Sequence, residues 1–317
     1  MDVAEREEPD EKLASPKVLI PFLLVILIWS TTWIVIRDQI HSVPANWSIC
    51  YRFFIAGLFM LLFCRIKGYK LALDRSNQVF CLAVGLLLIT VDYGFLYAAE
   101  KHITSGLVAV VFALIIVPNS FFARVFLGKK SSPYFILGAV LAGIGLGLLF
   151  RSQLAYLPDR TEMKLGLVMS LLAVLSTSLG EILLSTPRGK SKPMPVFLAW
   201  SMIWGSIGIG LVALFLDGAP VIGGGAYIGS LLYLSLFGSV LAFIMYFYVL
   251  QIVGPEMAAY AHVLIPIIAM SISTVCENYI WSGSAIAGSV MVFMGLMLAM
   301  KSQKKSAPSV TVKMKID

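Results

Sequence analysis

Arg52, Asp92, Glu181 and His262 are ionisable side chains set inside long apolar runs. A charge at the centre of a bilayer costs at least about 2.5 kcal/mol on insertion scales, so residues of this kind mark pathways, relays or paired bridges. Arg52 and Asp92 fall in the same half of the membrane once the spans are drawn. The expectation is an ion pair that lines or closes that half of a pathway, with a purely structural bridge as the alternative. Glu181 and His262 fall in the opposite half, where an imidazole that titrates near neutral pH and a carboxyl could pass a proton between them. A histidine merely hydrogen-bonded to a neighbour is the plainer reading. Glu256 and Glu277 flank the ninth apolar run and read as solvated helix ends.

Two prolines and a set of aromatics add to these candidates. Pro118 and Pro266 sit mid-run, and each removes a backbone N–H and frees a carbonyl one turn back. A matched pair of interruptions near the midplane is the best sequence pointer to a carrier's binding site, so both are hinge candidates; a harmless kink is the alternative. Asn119 adjoins the first proline and Tyr260 lies near the second. Trp29 and Trp33, with Thr32 between them, share one helix face. Together with Tyr93, Trp204 and Tyr246 they could stack on an organic solute, or simply pack between helices. Trp47 and Trp281, near span ends, fit an interfacial belt.

These residues must be held by membrane-spanning helices. Of 317 residues, 59% are hydrophobic and only 13% charged, about half the usual charge of a soluble domain. Every backbone polar group within lipid has to be paired internally, so apolar runs of this length are helices. A span takes about 20 residues, and the breaks place ten of them near 18–36, 46–64, 78–98, 104–126, 133–150, 165–185, 195–216, 226–250, 256–276 and 282–300. The breaks are turn formers such as Ser42-Val43-Pro44, Ser131-Ser132-Pro133, Thr186-Pro187-Arg188-Gly189 and Gly254-Pro255. The opening residues are acidic and the first run is too long for a cleaved signal core, so it is expected to stay as a span.

Charge sets the expected orientation. With the N-terminus in the cytoplasm, 18 Lys and Arg collect on that side against 5 on the other, which places both termini inside and makes the helix count even. The net charge of +7 is therefore a topology signal and not a nucleic-acid surface. Four cysteines without CxxC spacing read as small hydrophobes, and neither cofactor nor metal is expected.

The halves repeat. Tyr97, Pro118, Lys129 and Gly138 recur as Tyr248, Pro266, Glu277 and Gly288, at offsets of 151, 148, 148 and 150 residues. Five helices per copy is an odd number, so the second copy must enter the membrane from the opposite side. The expected fold is an all-α membrane protein of ten transmembrane helices in two inverted five-helix repeats. The first repeat covers 18–150 and the second 165–300, between an acidic cytoplasmic tail (1–17) and a basic one (301–317). Two such bundles can close alternately about a central site.

In this order along the chain, the residues resemble the EamA-type family of the drug/metabolite transporter superfamily. The likeness runs from Trp29-Ser30-Thr31-Thr32-Trp33 through Pro44, Arg52, Ala56, the Tyr93 to Ala98 stretch and Pro118. It continues in the second half from Leu232 to Ser239 and on through Pro266 to Glu277 and Gly288. Ser30 stands where the family usually has glycine, and Lys129 where it has an acid after the glycine that ends helix four. The resemblance implies a ten-helix secondary carrier of small metabolites, often an exporter of amino acids or related compounds, and not an enzyme.

Rival classes lack their signatures. No GxxxxGK[ST] run is present for an ATP-driven pump, and neither HExxH nor GxSxG for a hydrolase. The expectation is an exporter or exchanger in the cytoplasmic (inner) membrane, a monomer or homodimer, whose partners are lipid, a small solute and a candidate coupling proton. A membrane-embedded enzyme or a channel is the alternative. With Arg52 the sole deep cation, an amino-acid-like solute fits better than a phosphorylated one.

Overall fold

A computed structural model describes residues 15–128, 133–153, 160–246, 248–249, 252 and 261–303. Among these the chain is all helical. The helices are α1 (Pro16–Gln39), α2 (Ala45–Ile66), α3 (Arg75–Ala99), α4 (Ser105–Leu127), α5 (Pro133–Gln153), α6 (Arg160–Ser185), α7 (Met194–Leu216), α8 (Gly225–Tyr246), α9 (Ala261–Cys276) and α10 (Gly283–Gln303). The first eight are long and apolar enough to cross a bilayer, and α9 and α10 carry shorter apolar stretches. The expected start of the ninth helix, Tyr260, Glu256, Lys129 and residues 304–317 of the expected basic tail lie outside the described residues, while 301–303 end α10. Outward faces carry exposed Leu23, Leu27, Leu62, Leu137, Leu211 and Ile286, as lipid contact requires.

Successive helices run antiparallel, which gives the bundle two ends. The near end is where α1 begins. There Asp74 caps α3 by accepting from Asn77 N at 3.3 Å, Trp200 Nε1 donates to Leu71 O at 2.9 Å, and Arg188 reaches Ser76. At the far end, where α1 finishes, Asn46 Nδ2 donates to Asp217 Oδ2 at 2.9 Å and Trp47 Nε1 to Gly218 O at 3.2 Å. Trp47 is buried by this contact and is not a lipid-facing belt residue.

Small residues let backbones meet where the seams are tightest, the usual device for helix association in lipid. Along α5 and α10 a Cβ on Gly145 would stand 2.6 Å from Gly288 O, and one on Gly138 2.5 Å from Gly295 O. Glycine is obligatory there because the neighbours are backbone atoms and cannot give way. Besides this seam, α2 packs on α7 and α8, α3 on α6 and α7, α4 on α6 and α9, and α1 on α8 and α9.

Three irregularities shape the interior. In α4 the helix breaks between Ala113 and Ile116, four residues ahead of Pro118, where the proline ring removes the N–H that would have met Leu114 O. Val117 N takes that carbonyl instead, at 2.8 Å. Pro266, expected to behave alike, lies inside an unbroken α9. The other two are π-helical stretches, Leu86–Val91 in α3 and Tyr233–Leu241 in α8. A π turn widens the helix and leaves a carbonyl to be met from outside, and such turns are frequent at functional sites. Ser176 Oγ of α6 donates to Leu87 O at 2.7 Å, and Trp29 Nε1 of α1 donates to Gly238 O at 3.1 Å.

Candidate functional site

Arg52 projects from the far half of α2 and is 2% exposed. Its Nε donates to Ser239 Oγ at 3.2 Å and its NH1 to Tyr97 OH at 3.3 Å; Tyr97 in turn donates to Gln39 Oε1 at 3.3 Å. The guanidinium also lies over the Tyr93 ring, 4.9 Å from its centroid, an arrangement that holds a cation without a counter-ion. Four helices therefore converge on one cation. The ion pair expected between Arg52 and Asp92 is not formed: hydroxyls and a ring face occupy the guanidinium instead. Asp92, 3% exposed, lies beside Thr177 of α6, and its Oδ1 has no partner.

Toward the near end a second polar group forms between α4 and α6. Ser178 Oγ donates to Asn119 Oδ1 at 2.5 Å, and Asn119 Nδ2 donates to Glu181 Oε2 at 2.6 Å. Asn119 is aimed at α6 because it follows the break in α4. Across from it, Trp29 packs on Tyr246 (5.2 Å between centroids), on Phe243 (5.6 Å) and on His262 (6.3 Å, stacked). Tyr246 OH approaches His262 Nε2 at 3.5 Å. No hydrogen bond joins Glu181 to His262 among the described residues, and Tyr246 stands within electrostatic reach of Glu181.

The remaining candidates divide between lining and bracing. Trp33 meets Phe112 edge-on at 5.5 Å, and its buried Nε1 has no acceptor. Thr32 Oγ1 is turned back onto Trp29 O at 2.7 Å. Tyr93 packs edge-on against Phe53, at 4.4 Å, beside a cavity of about 30 Å³ lined also by Leu88, Met202 and Phe243. Trp204 Nε1 donates to Gln78 Oε1 at 2.8 Å and braces α7 against α3.

At the far end the sequence reading misses most of what matters. Glu277, expected to be a solvated helix end, has a side chain only 6% exposed. It accepts from Ser105 N at 3.1 Å through each oxygen, from Ser105 Oγ at 2.6 Å and from Ser273 Oγ at 2.5 Å, and it pairs with Arg37 NH1 at 3.0 Å. Arg37 NH1 also donates to Ile103 O at 3.0 Å. The carboxylate thus caps α4 from the end of α9 while α1 clamps both, an arrangement favoured by the positive end of the α4 dipole. In the sequence Glu277 stands out as a repeat and family landmark, but an acid at the end of an apolar helix looks the same whether water or protein receives it.

The profile of the EamA-like transporter family matches residues 17–151 and again residues 164–301. The chain is 28% identical to the inner membrane transporter YedA of Escherichia coli K12 over 257 residues, 78% of this chain and 79% of YedA. It is 22% identical to protein PagO of Salmonella typhimurium over 285 residues, 89% of this chain and 90% of PagO. It is 23% identical to the transporter YoaV of Bacillus subtilis over 284 residues, covering 89% and 96% of the two chains. A chain of known crystal structure shares the fold with a TM-score of 0.67 at 16% identity, over 92% of this chain and 99% of that one. With both halves matched, the chain belongs to the EamA-like transporter family and is a multi-pass membrane transporter.

Proposed function

We propose that this transporter is a ten-helix secondary carrier in the inner membrane that exports or exchanges a small zwitterionic metabolite, such as an amino acid or a related compound. It works by alternate opening of two inverted five-helix repeats, with both termini in the cytoplasm. Support for the repeat comes from the neighbour pairs. Replacing each helix by the one five places on carries α3–α6 into α8–α1, α3–α7 into α8–α2, and α1–α9 into α6–α4. The π stretches obey the same rule, since Tyr233 follows Leu86 by 147 residues. So do their outside donors, Ser176 on α6 and Trp29 on α1.

The single observation that carries the solute class is that two of the unmatched buried groups, one on α3 and one on α1, have opposite hydrogen-bonding character. Asp92 Oδ1 is an acceptor and Trp33 Nε1 a donor, neither with a partner. Buried polar atoms in a folded protein are ordinarily paired, and exceptions call for a functional reason. An ammonium group suits Asp92, and a carboxylate suits the indole N–H with Arg52 behind it. The aromatic set of Trp29, Tyr246, Phe243 and His262 would receive the rest of the solute, with Asn119, Ser178 and Glu181 as its polar floor. Pro118 supplies the hinge, because the break at Leu114–Ile115 already uncouples the two parts of α4.

Purified protein in liposomes preloaded with an unlabelled amino-acid mixture is expected to accumulate external labelled amino acids transiently, with a rate that saturates. Uptake that rises linearly with concentration and shows no transient would remove the carrier reading in favour of a channel.

A further inference from the structure

Glu100 follows α3, one residue beyond the span 75–99, and is 0% exposed. Neither of its carboxyl oxygens has a hydrogen-bond partner. Three neighbouring elements face it with charge: Arg37 from α1, Arg52 from α2 and Glu277 from the end of α9. From its own helix Tyr97 stands beside it, and the His102–Glu162 pair lies further out along the same connection.

What matters is where these neighbours are already engaged. Arg37 is committed to Glu277 and Ile103 O, and Arg52 to Ser239 and Tyr97. A carboxylate enclosed without donors, and close to a second carboxylate, is strongly disfavoured against its neutral acid. Burial, with the Glu277 charge adding to it, holds the Glu100 carboxyl well above the ordinary glutamate range even though Arg37 and Arg52 act in the opposite sense. The closely packed far end is thus compatible with the acid and not with its anion.

We infer that Glu100 is a proton-binding site that controls the far end of the bundle. While the carboxyl keeps its proton, Arg37 stays on Glu277 and the ends of α1, α4 and α9 remain clamped. When the O–H proton leaves to water, the new carboxylate competes for Arg37 and Arg52. The Glu277 clamp and the Ser239–Arg52–Tyr97 contacts then loosen together, which is the motion a carrier needs to open on that side. The use of this site in transport rests on the carrier reading above; the site itself can be measured without any solute.

The test is the thermal midpoint of purified full-length protein as a function of pH, for wild type, E100Q and E100D. A carboxyl whose folded value is raised stabilises fully below the ordinary glutamate range, and that stabilisation is lost as pH rises through the folded value. The wild-type midpoint should therefore fall with rising pH. E100Q, neutral throughout, should lose at least half of that fall, whereas E100D should retain a fall with its centre moved. Difference infrared spectra of wild type should show a protonated-carboxyl band at low pH that bleaches on titration and is missing from E100Q. Identical midpoint profiles for wild type and E100Q, or no titrating band assignable to Glu100, would overturn the inference. If E100Q does not fold, E100D and the wild-type band decide it alone. A pH-dependent midpoint in a protein that shows no counterflow would instead sink the carrier reading and leave the proton site standing.

Discussion

Arg52→Met is expected to abolish saturable uptake in reconstituted vesicles, by at least about a hundredfold, while moving the thermal midpoint little. The reasoning separates two roles of a buried cation. Arg52 has no carboxylate pressed against it, so exchange for an apolar side chain of similar length removes a desolvated charge without stranding a counter-ion, a change that is often neutral for stability. Its partners are also provided for: Ser239 Oγ donates to Leu234 O at 3.0 Å, and Tyr97 keeps Gln39. What disappears is the fixed positive charge at the proposed solute site. Arg52→Lys should fall between, with a loss of about tenfold, because an ammonium cannot reach Ser239 and Tyr97 together in the fork geometry of a guanidinium. Since Asp92 does not pair with Arg52, exchanging the two charges should rescue nothing. A double exchange that recovered transport over either single change would show that the pair forms in another state of the cycle. A large drop in midpoint for Arg52→Met would make the residue structural.

The second large effect is expected at the α4–α6 polar group. Glu181→Leu leaves the Asn119 amide without its acceptor in apolar surroundings, at a cost of about 1–3 kcal/mol, and should reduce uptake by about tenfold to a hundredfold. Glu181→Gln still offers an oxygen to Asn119 Nδ2 and should keep most of the activity. The pH profile of Glu181→Gln is informative on its own. If it is unchanged, neither Glu181 nor a route from it to His262 carries the coupling proton, which agrees with the lack of a bond between them. Loss of all pH dependence in Glu181→Gln would put the proton there and not at the far end.

How far the sequence foretold this arrangement depends on what each residue had to contrast with. Arg52, Asp92 and Glu181 stand out because a charge among leucines and valines must be paired, solvated or used, and each turns out to be buried or half-buried where helices converge. The span boundaries were legible for a similar reason. Pro44, Pro133 and the Thr186-Pro187 turn interrupt apolar runs, and the helices begin or end within a few residues of each. Glu100, Glu277 and Arg37 could not be found this way. They sit in or beside connections, where charge is expected to meet water, and only the packing of three helix ends removes that water. Gln39 has no distinguishing neighbours, and Ser239, although it closes a family-like stretch, has no chemistry of its own there; Arg52 reaches Ser239 directly and Gln39 through Tyr97. The two prolines show the limit from another side: α4 is broken just ahead of Pro118, whereas Pro266 lies inside a continuous α9, and the residue type alone does not separate the two outcomes. The π stretches likewise follow from donors on α6 and α1, which no local reading of α3 or α8 contains.

Central to the account is a site that faces one side of the membrane at a time. Ser178→Cys, made in a background without the four native cysteines, places a thiol next to Asn119 in the polar floor. A membrane-impermeant thiol reagent is then applied to oriented vesicles from each face separately. In otherwise wild-type protein the thiol should react only from the near end, since the Arg37–Glu277–Ser105 clamp holds the far end shut. Adding Glu277→Gln should open labelling from the far end and diminish it from the near end. Labelling from both faces at once would describe a channel and contradict the account, and so would a reaction from the far end that ignores Glu277.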